Sequence, residues 1–330
     1  MAVRTPLIIV LLSALTALFF LSVIIGPAGI TMADTLRALL WGQGEAATLV
    51  MREIRLPRAI LAVMVGASLG LAGAAMQGYL RNPLAEPGLI GVSGSAALGA
   101  VIVLQTGLAA VWWLALPFAA LGGALASVLL ILLLAGPRGS SLTLILAGIA
   151  ISALAGAMTT LVLNLSPNPF AASEVVFWMM GSLSDRSFDH VWIALPFMII
   201  GWILLLSLGR PLDVLTLGED AAATMGVATG RTRLVLVLGI AACVGAATAV
   251  AGAIGFVGLV VPHILRPFVG ARPSSLLWAS ALGGAVMVLA ADLAVRLILP
   301  DRDLKLGVLM AIIGAPFFLH LIYKTRGEVR

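Results

Sequence analysis

The chain has 330 residues, of which 62% are hydrophobic and only 10% charged, with a formal net charge of +5. Soluble domains carry about a quarter charged residues, so this composition cannot cover a water-facing surface and excludes a soluble globular protein. The basic residues are scattered between apolar runs rather than gathered in a stripe, which argues against nucleic acid as a partner and for orienting the chain in a lipid bilayer.

Inside hydrocarbon every backbone N–H and C=O needs an internal partner, which leaves helices or a closed barrel. Barrel strands alternate apolar and polar residues, whereas Leu125 to Ala135 and Leu234 to Ala242 are unbroken apolar runs. The expected fold is therefore all-α and polytopic. The 36 glycines suit close approach of transmembrane helices. The single cysteine, Cys243, has no partner for an internal disulfide and reads as a small core residue.

In chain order, Leu7 to Ile25 follows Arg4 and ends at Gly26-Pro27. This run reads as a retained first span, since a signal peptide has a shorter apolar stretch and a small-residue cleavage site. Thr31 as N-cap with Asp34 in the first turn predicts a short helix over 31–40 outside the bilayer. Nine further spans are expected at about 58–79, 90–107, 112–135, 142–165, 190–208, 232–252, 255–269, 275–298 and 307–324. The eighth is short and rich in glycine, too short for the full hydrocarbon core. Ten crossings put both termini on one side. Eleven of the 19 basic residues fall on that side, including Arg81, Arg210, Arg231 and Arg233, which favours cytoplasmic termini. Arg52, Arg55 and Arg58 break that rule locally, and an acidic partner surface is a reason for them. A faint internal echo, Ala72-Gly73-Ala74 against Ala251-Gly252-Ala253, hints at an inverted repeat of the kind transporters use. The two lysines, Lys305 and Lys324, do not follow glycine, so the chain has no P-loop and is not its own ATPase or any other legible enzyme.

Three stretches carry more. Arg55-Leu56-Pro57-Arg58 leads through Gln77 to Arg81-Asn82-Pro83-Leu84-Ala85-Glu86-Pro87-Gly88. Leu217-Gly218-Glu219-Asp220-Ala221 leads to Met225-Gly226-Val227. Ala251-Gly252-Ala253-Ile254-Gly255-Phe256-Val257-Gly258 continues through Pro262-His263 to Arg266. Together, over about residues 50 to 324, they resemble the FecCD-type permeases of bacterial ABC importers for iron–siderophore complexes, haem and cobalamin. The resemblance implies one permease domain over 1–330 with type II importer architecture, working as a homodimer in the bacterial inner membrane. It implies two copies of a cytoplasmic ABC ATPase and a periplasmic or lipid-anchored substrate-binding protein as partners, with no bound cofactor and no resident metal.

Residue by residue, the resemblance makes Arg55, Arg58 and Arg296 docking residues for acidic groups of the binding protein. For Arg296 an i,i+4 salt bridge with Asp292 is the competing structural role, and both can hold. Asn82 and Leu84, with Ser141 and Leu142 in the loop from Gly139, match a cytoplasmic gate; a plain connector is the alternative. Gly218, Glu219, Asp220, Ala221, Ala222, Met225 and Gly226, in a loop over about 209–231, match the coupling helix that seats in the ATPase. By local chemistry alone this is a capped surface helix with acids at its positive end. His263 has no second ligand at metal spacing and reads as a packing group. Phe170, Phe177, Trp178, Met179 and Met180 suit an outer vestibule or an interfacial belt. The resemblance also implies a pathway lined chiefly by the fifth span of each subunit, with contributions from the tenth. Two positions depart from the family pattern: Lys305 stands where proline is usual, and Ala271-Arg272-Pro273 replaces an Asp-His pair after Gly270. Siderophore is the expected cargo, with haem and cobalamin as alternatives. An ion-coupled secondary transporter, with Asp292 as the carrier, is the reading from a different class. A zinc or manganese permease is a nearer rival, against which the outer arginines and the Arg81-to-Gly88 motif weigh.

Overall fold

A computed structural model describes residues 4–26, 30–42, 44–136, 141–166, 169–298 and 304–328, and every regular element among them is helical. Helix α1 is Arg4–Ile24, and α2 is the amphipathic Met32–Trp41. The N-cap of α2 is Thr31, whose hydroxyl oxygen accepts from the Asp34 N–H at 3.2 Å, and Gly42 closes it at φ +65°. Helix α3 (Glu45–Leu49) runs through a π-helical stretch, Val50–Arg55, into α4 (Leu56–Leu80). A 3-10 turn at Pro87–Ile90 precedes α5 (Val92–Gln105), followed by the short α6 (Leu108–Val111) and the long α7 (Ala115–Ala135) and α8 (Ser141–Asn164). Then come α9 (Pro169–Met179), α10 (Phe188–Ser207), α11 (Gly209–Leu215), α12 (Glu219–Thr224) and α13 (Thr229–Ala251). The half-length α14 (Val257–Leu265) continues into a 3-10 turn at Arg266–Val269, and α15 (Pro273–Ile298) and α16 (Leu306–Glu328) complete the fold.

Among the described residues eight helices are long and apolar enough to span a bilayer; the other two predicted spans are the short apolar helices over 92–105 and 257–269. The shortness expected of the eighth span therefore holds for the third as well. Pro87 and the positive φ of Gly91 break the chain inside the predicted 90–107 segment and leave 14 helical residues in α5. Each half of the chain thus follows one order: a buried long helix (α4 or α13), a break, a half-helix (α5 or α14), then two long helices. The Ala-Gly-Ala echo does not mark this repeat. Ala72 to Ala74 lie in the middle of α4, whereas Ala251 ends α13.

The centre is built on glycine. A Cβ at Gly66 of α4 would lie 2.3 Å from the Gly284 carbonyl oxygen of α15, and one at Gly284 would lie 2.1 Å from that of Gly66. Gly70 meets Ser280 in the same way one turn on, and Gly73 meets the backbone of Gly258 in α14. Lipid gives helices no hydrophobic reason to associate, so contact at backbone distance is what joins α4, α14 and α15. Cys243 is buried at the crossing of α13 with α10, where it abuts Gly201.

Candidate functional site

Three levels of the molecule carry the polar chemistry. At one end of the bundle, the last turn of α1 exposes carbonyls that no helical N–H reaches. Arg55 donates from Nη1 to the Val23 and Ile24 oxygens at 3.1 and 2.6 Å. Arg296 donates to the Ser22 and Ile25 oxygens at 2.8 and 3.1 Å, and also to the Ser22 hydroxyl. Gly26 leaves room for this, since a Cβ there would lie 2.7 Å from the Arg55 guanidinium. Asp292 is 0% exposed and takes Arg58 through Nε and Nη2 at 2.9 and 2.8 Å, with Arg296 on its other oxygen at 2.9 Å. The structure thus brings all three predicted docking arginines to one place, and the i,i+4 pair is present. It also gives them internal duties that sequence reasoning missed: Arg55 and Arg296 cap α1, and Arg58 joins Arg296 on Asp292. Arg55, at 4% exposed, lies inward rather than on the surface. Asp292 sits near the C-terminal end of α15 between two guanidiniums, a poor place for a carrier that must release its ion at mid-membrane.

Between these levels the break before α5 meets the start of α14. Pro87 and the Leu69 backbone, near the middle of α4, both abut Gly258. The Glu86 carboxylate accepts from the Phe256 N–H at 2.8 Å, just where α14 begins. Phe256 is left-handed at φ +67°, and its ring packs on Gly314 of α16. Below, the buried Gln77 donates to the Gly258 and Leu259 oxygens, each at 3.3 Å, and accepts from Arg266 at 2.7 Å. These contacts satisfy backbone that the broken helices would otherwise bare to lipid. Replacing Glu86 with alanine strands the Phe256 N–H, at a cost of about 1–3 kcal/mol, whereas Glu86→Gln keeps an acceptor. Thermal unfolding in detergent should rank wild type and Glu86→Gln together above Glu86→Ala; equal midpoints for the two variants would refute the role.

At the opposite end of the bundle, Asn82 folds into the turn after α4, its side-chain oxygen accepting from the Leu84 N–H at 2.9 Å. Ser141 opens α8, and Leu142 beside it is exposed; Gly139 and Ser140 lie outside the described residues. The segment from Gly218 forms a short helix, α12, as expected. Gly218 enters at φ +111°, Glu219 and Asp220 fill the first turn, Ala221 is half-buried, Ala222 is buried, and Met225 leads to Gly226 at φ +81°. Leu217 and Met225 flank it at 65% and 60% exposed. Leu217 was legible only as part of a motif.

A further tie joins this loop to the membrane. Asp213 of α11 accepts from the Ser274 N–H and hydroxyl at 2.8 and 2.7 Å and from Arg272 Nε at 2.6 Å, capping the start of α15. The turn lost with the family's Asp-His pair is a left-handed pair instead, Gly270 and Ala271, which delivers Arg272 to Asp213. Burial pushes the Asp213 carboxyl up, but the Ser274 and Arg272 bonds outweigh it and hold the group below its ordinary value. A lowered value in the fold means the contribution is intact above the ordinary aspartate pKa, about 4, and is lost as pH falls through the folded value. Asp213→Asn, which turns charge-assisted hydrogen bonds into neutral ones, should therefore cost about 1 kcal/mol at neutral pH, and the gap to wild type should close in acid. Unfolding curves that stay parallel across that range would refute this.

Of the remaining predicted residues, His263 packs edge-to-face on Phe317 at 5.7 Å, and Lys305 lies 5.8 Å from the Phe177 ring centroid, a cation–π contact that proline would not make. Among the described residues no three His, Cys, Asp or Glu side chains cluster as a metal site. A cavity of about 540 Å³ opens between α5, α8 and α9, walled by Gly94, Ser152, Thr159, Thr160, Met179 and Met180.

Ten apolar helices among the described residues, with a broken pair at the centre and an exposed knob on the loop before α13, define a membrane transport permease of the ABC importer class. The chain belongs to the FecCD transport family, whose signature matches residues 14–324. It is 40% identical over 294 residues to the Fe(3+) dicitrate transport system permease protein FecD of Escherichia coli, covering 88% of this chain and 91% of that one. It is 37% identical over 320 residues to the vitamin B12 import system permease protein BtuC of Citrobacter koseri, covering 96% and 94%. A solved structure described as an inward-facing metal-chelate type ABC transporter superposes with a TM-score of 0.85 at 31% identity, over 95% of this chain and 97% of that one.

Proposed function

We propose that this chain is the permease subunit of a binding-protein-dependent importer that moves an iron(III)–siderophore complex across the bacterial inner membrane. It works as a homodimer with two cytoplasmic ABC ATPase subunits, and both termini are cytoplasmic. The observation that carries this is the inner knob: two large apolar side chains, Leu217 and Met225, stand in the open on either side of the acidic α12. Apolar side chains held out on a rigid helix fit a groove in a partner. The same α4–α15 pair that packs glycine to glycine ends outside in Arg58, Asp292 and Arg296 and inside at Arg81 and Ser274, beside the coupling loop. We assign the outer cluster to docking of the binding protein, and Asn82, Leu84, Ser141 and Leu142 to the inner gate. The pathway runs past α8 and α16, with the small hydroxyl-bearing cavity at its outer end. A wall of glycine, threonine and methionine suits a bulky chelate carried whole.

Cobalamin is the second reading, favoured by the vitamin B12 relative. ATP-driven uptake in vesicles holding permease, ATPase and binding protein, offered labelled ferric siderophore, ferric dicitrate, haem and cobalamin, decides between them. Accumulation of cobalamin alone would select the second reading. Accumulation under a proton gradient with no ATPase present would sink both. Leu217→Ser with Met225→Ser should weaken ATPase co-purification about a hundredfold or more, from about 1.5–3 kcal/mol per buried side chain. Undiminished assembly would remove the coupling assignment.

A further inference from the structure

The seam between α10 and α13 holds two cavities that none of the roles above uses. The inner one, about 510 Å³, lies where these helices leave the membrane and is walled by Ser207, Arg210, Val214, Val227, Arg231 and Thr232. Arg210 and Arg231 are both exposed, and among the described residues neither meets an acceptor. The first turn of the 23-residue α13 forms part of the wall, and its dipole adds to the positive field there. The second cavity, about 480 Å³, opens between α7, α10 and α13 and is walled by apolar groups such as Phe118, Leu125, Phe197, Leu204 and Leu238.

The two lie one helical turn apart along α10 and α13. Leu204 of the apolar groove is one turn from Ser207 and Leu208 of the basic pocket, and Leu238 is one turn from Val235. A basic pocket at the membrane surface that opens one turn away onto an apolar groove within it matches one ligand shape: a phosphate head with acyl chains. We propose that this seam binds an anionic phospholipid, its phosphate taken by Arg210 and Arg231 and a chain lying in the α7–α10–α13 groove. Arginine forks suit phosphate oxygens, and basic pockets between cytoplasmic helix ends favour anionic head groups. The site borders Met225 and Gly226, so its occupant touches the base of the coupling knob. A free anion explains the arginines but not the groove, and an ATPase loop explains neither the depth nor the apolar walls.

The test uses full-length permease, purified in detergent and stripped of lipid, then titrated with dioleoylphosphatidylglycerol, dioleoylphosphatidylcholine or inorganic phosphate while native mass spectra and unfolding midpoints are read. Wild type should bind the glycerol lipid about tenfold tighter than the choline lipid and gain in midpoint, with phosphate giving no gain. Arg210→Gln with Arg231→Gln should erase the preference while weak binding of both lipids persists. Gly122→Phe projects into open space in the groove, since a Cβ there meets nothing within 4 Å. It should weaken both lipids while sparing the preference. A preference that survives loss of both arginines overturns the proposal. So does equal protection by phosphate, or unchanged retention with the groove filled.

Discussion

Valine in place of Gly284 is expected to prevent assembly of the permease. The carbonyl of Gly66 lies 2.1 Å from where the new Cβ would stand, and carbonyl oxygen cannot rotate away as a side chain can. Relief requires moving α4 from α15 along their whole contact, which also parts Gly70 from Ser280. Overpacking a tight core costs about 1–3 kcal/mol, occasionally more, and a backbone-to-backbone site with no flexible neighbour belongs at the upper end. Alanine should already depress the unfolding midpoint, and valine should abolish monodisperse protein on size-exclusion chromatography. Gly122→Ala, on an open helical face, is the control and should behave as wild type. A Gly284→Val protein that purifies and transports normally would show that α4 and α15 are not held at this contact.

Asp292→Asn should be the most damaging change among the polar residues. Its carboxylate, fully buried, is the acidic group that, among the described residues, bridges the Arg58 and Arg296 guanidiniums. The amide leaves two partly buried cations close together without the carboxylate that joins them. Removing one partner of a buried ion pair typically costs about 3–5 kcal/mol. The same change frees Arg296 from the rotamer in which it caps α1, so the outer end of the first helix should loosen too. Hydrogen exchange at residues 20–26 should rise and the unfolding midpoint fall. A variant with unchanged exchange and midpoint would show that the cluster is not structural. Reversing Arg55 and Arg58 to glutamate is a poor test of docking, because Arg55 would become a buried carboxylate against the Val23 and Ile24 carbonyls.

The fold was legible wherever a single helix announces itself. Composition required helices, and apolar runs located the long spans to within a few residues. The caps Thr31, Gly218 and Gly226 stand where their side-chain and backbone chemistry demands. What the sequence hid is relational. Nothing near Pro87 says that the chain has climbed to mid-membrane by that point, so the third span read as complete. The family motifs found Arg55, Arg58 and Arg296 but not what they touch, because α1 lies more than 30 residues from Arg55 and more than 270 from Arg296. Asp213 was invisible for the same reason: its partner Ser274 is 61 residues away. Local periodicity reports which face of a helix is apolar, and it is silent on which distant helix closes each polar group.

The bond between Glu86 and Phe256 spans 170 residues, and that separation bears on how the protein is made. Helices α5 and α14 are too short to cross the bilayer by themselves. When the ribosome has delivered the first, the break before it is still bare, because the backbone N–H that takes up its carboxylate belongs to the second half of the chain. The early product therefore carries an incomplete span that lipid alone does not satisfy. It has to be sheltered by the insertion machinery, or wait at the membrane surface, until residue 256 has been translated. Completion of this fold is thus timed by the arrival of the second half, and truncation anywhere before α14 should yield a fragment that the cell's quality control removes rather than a half-sized permease.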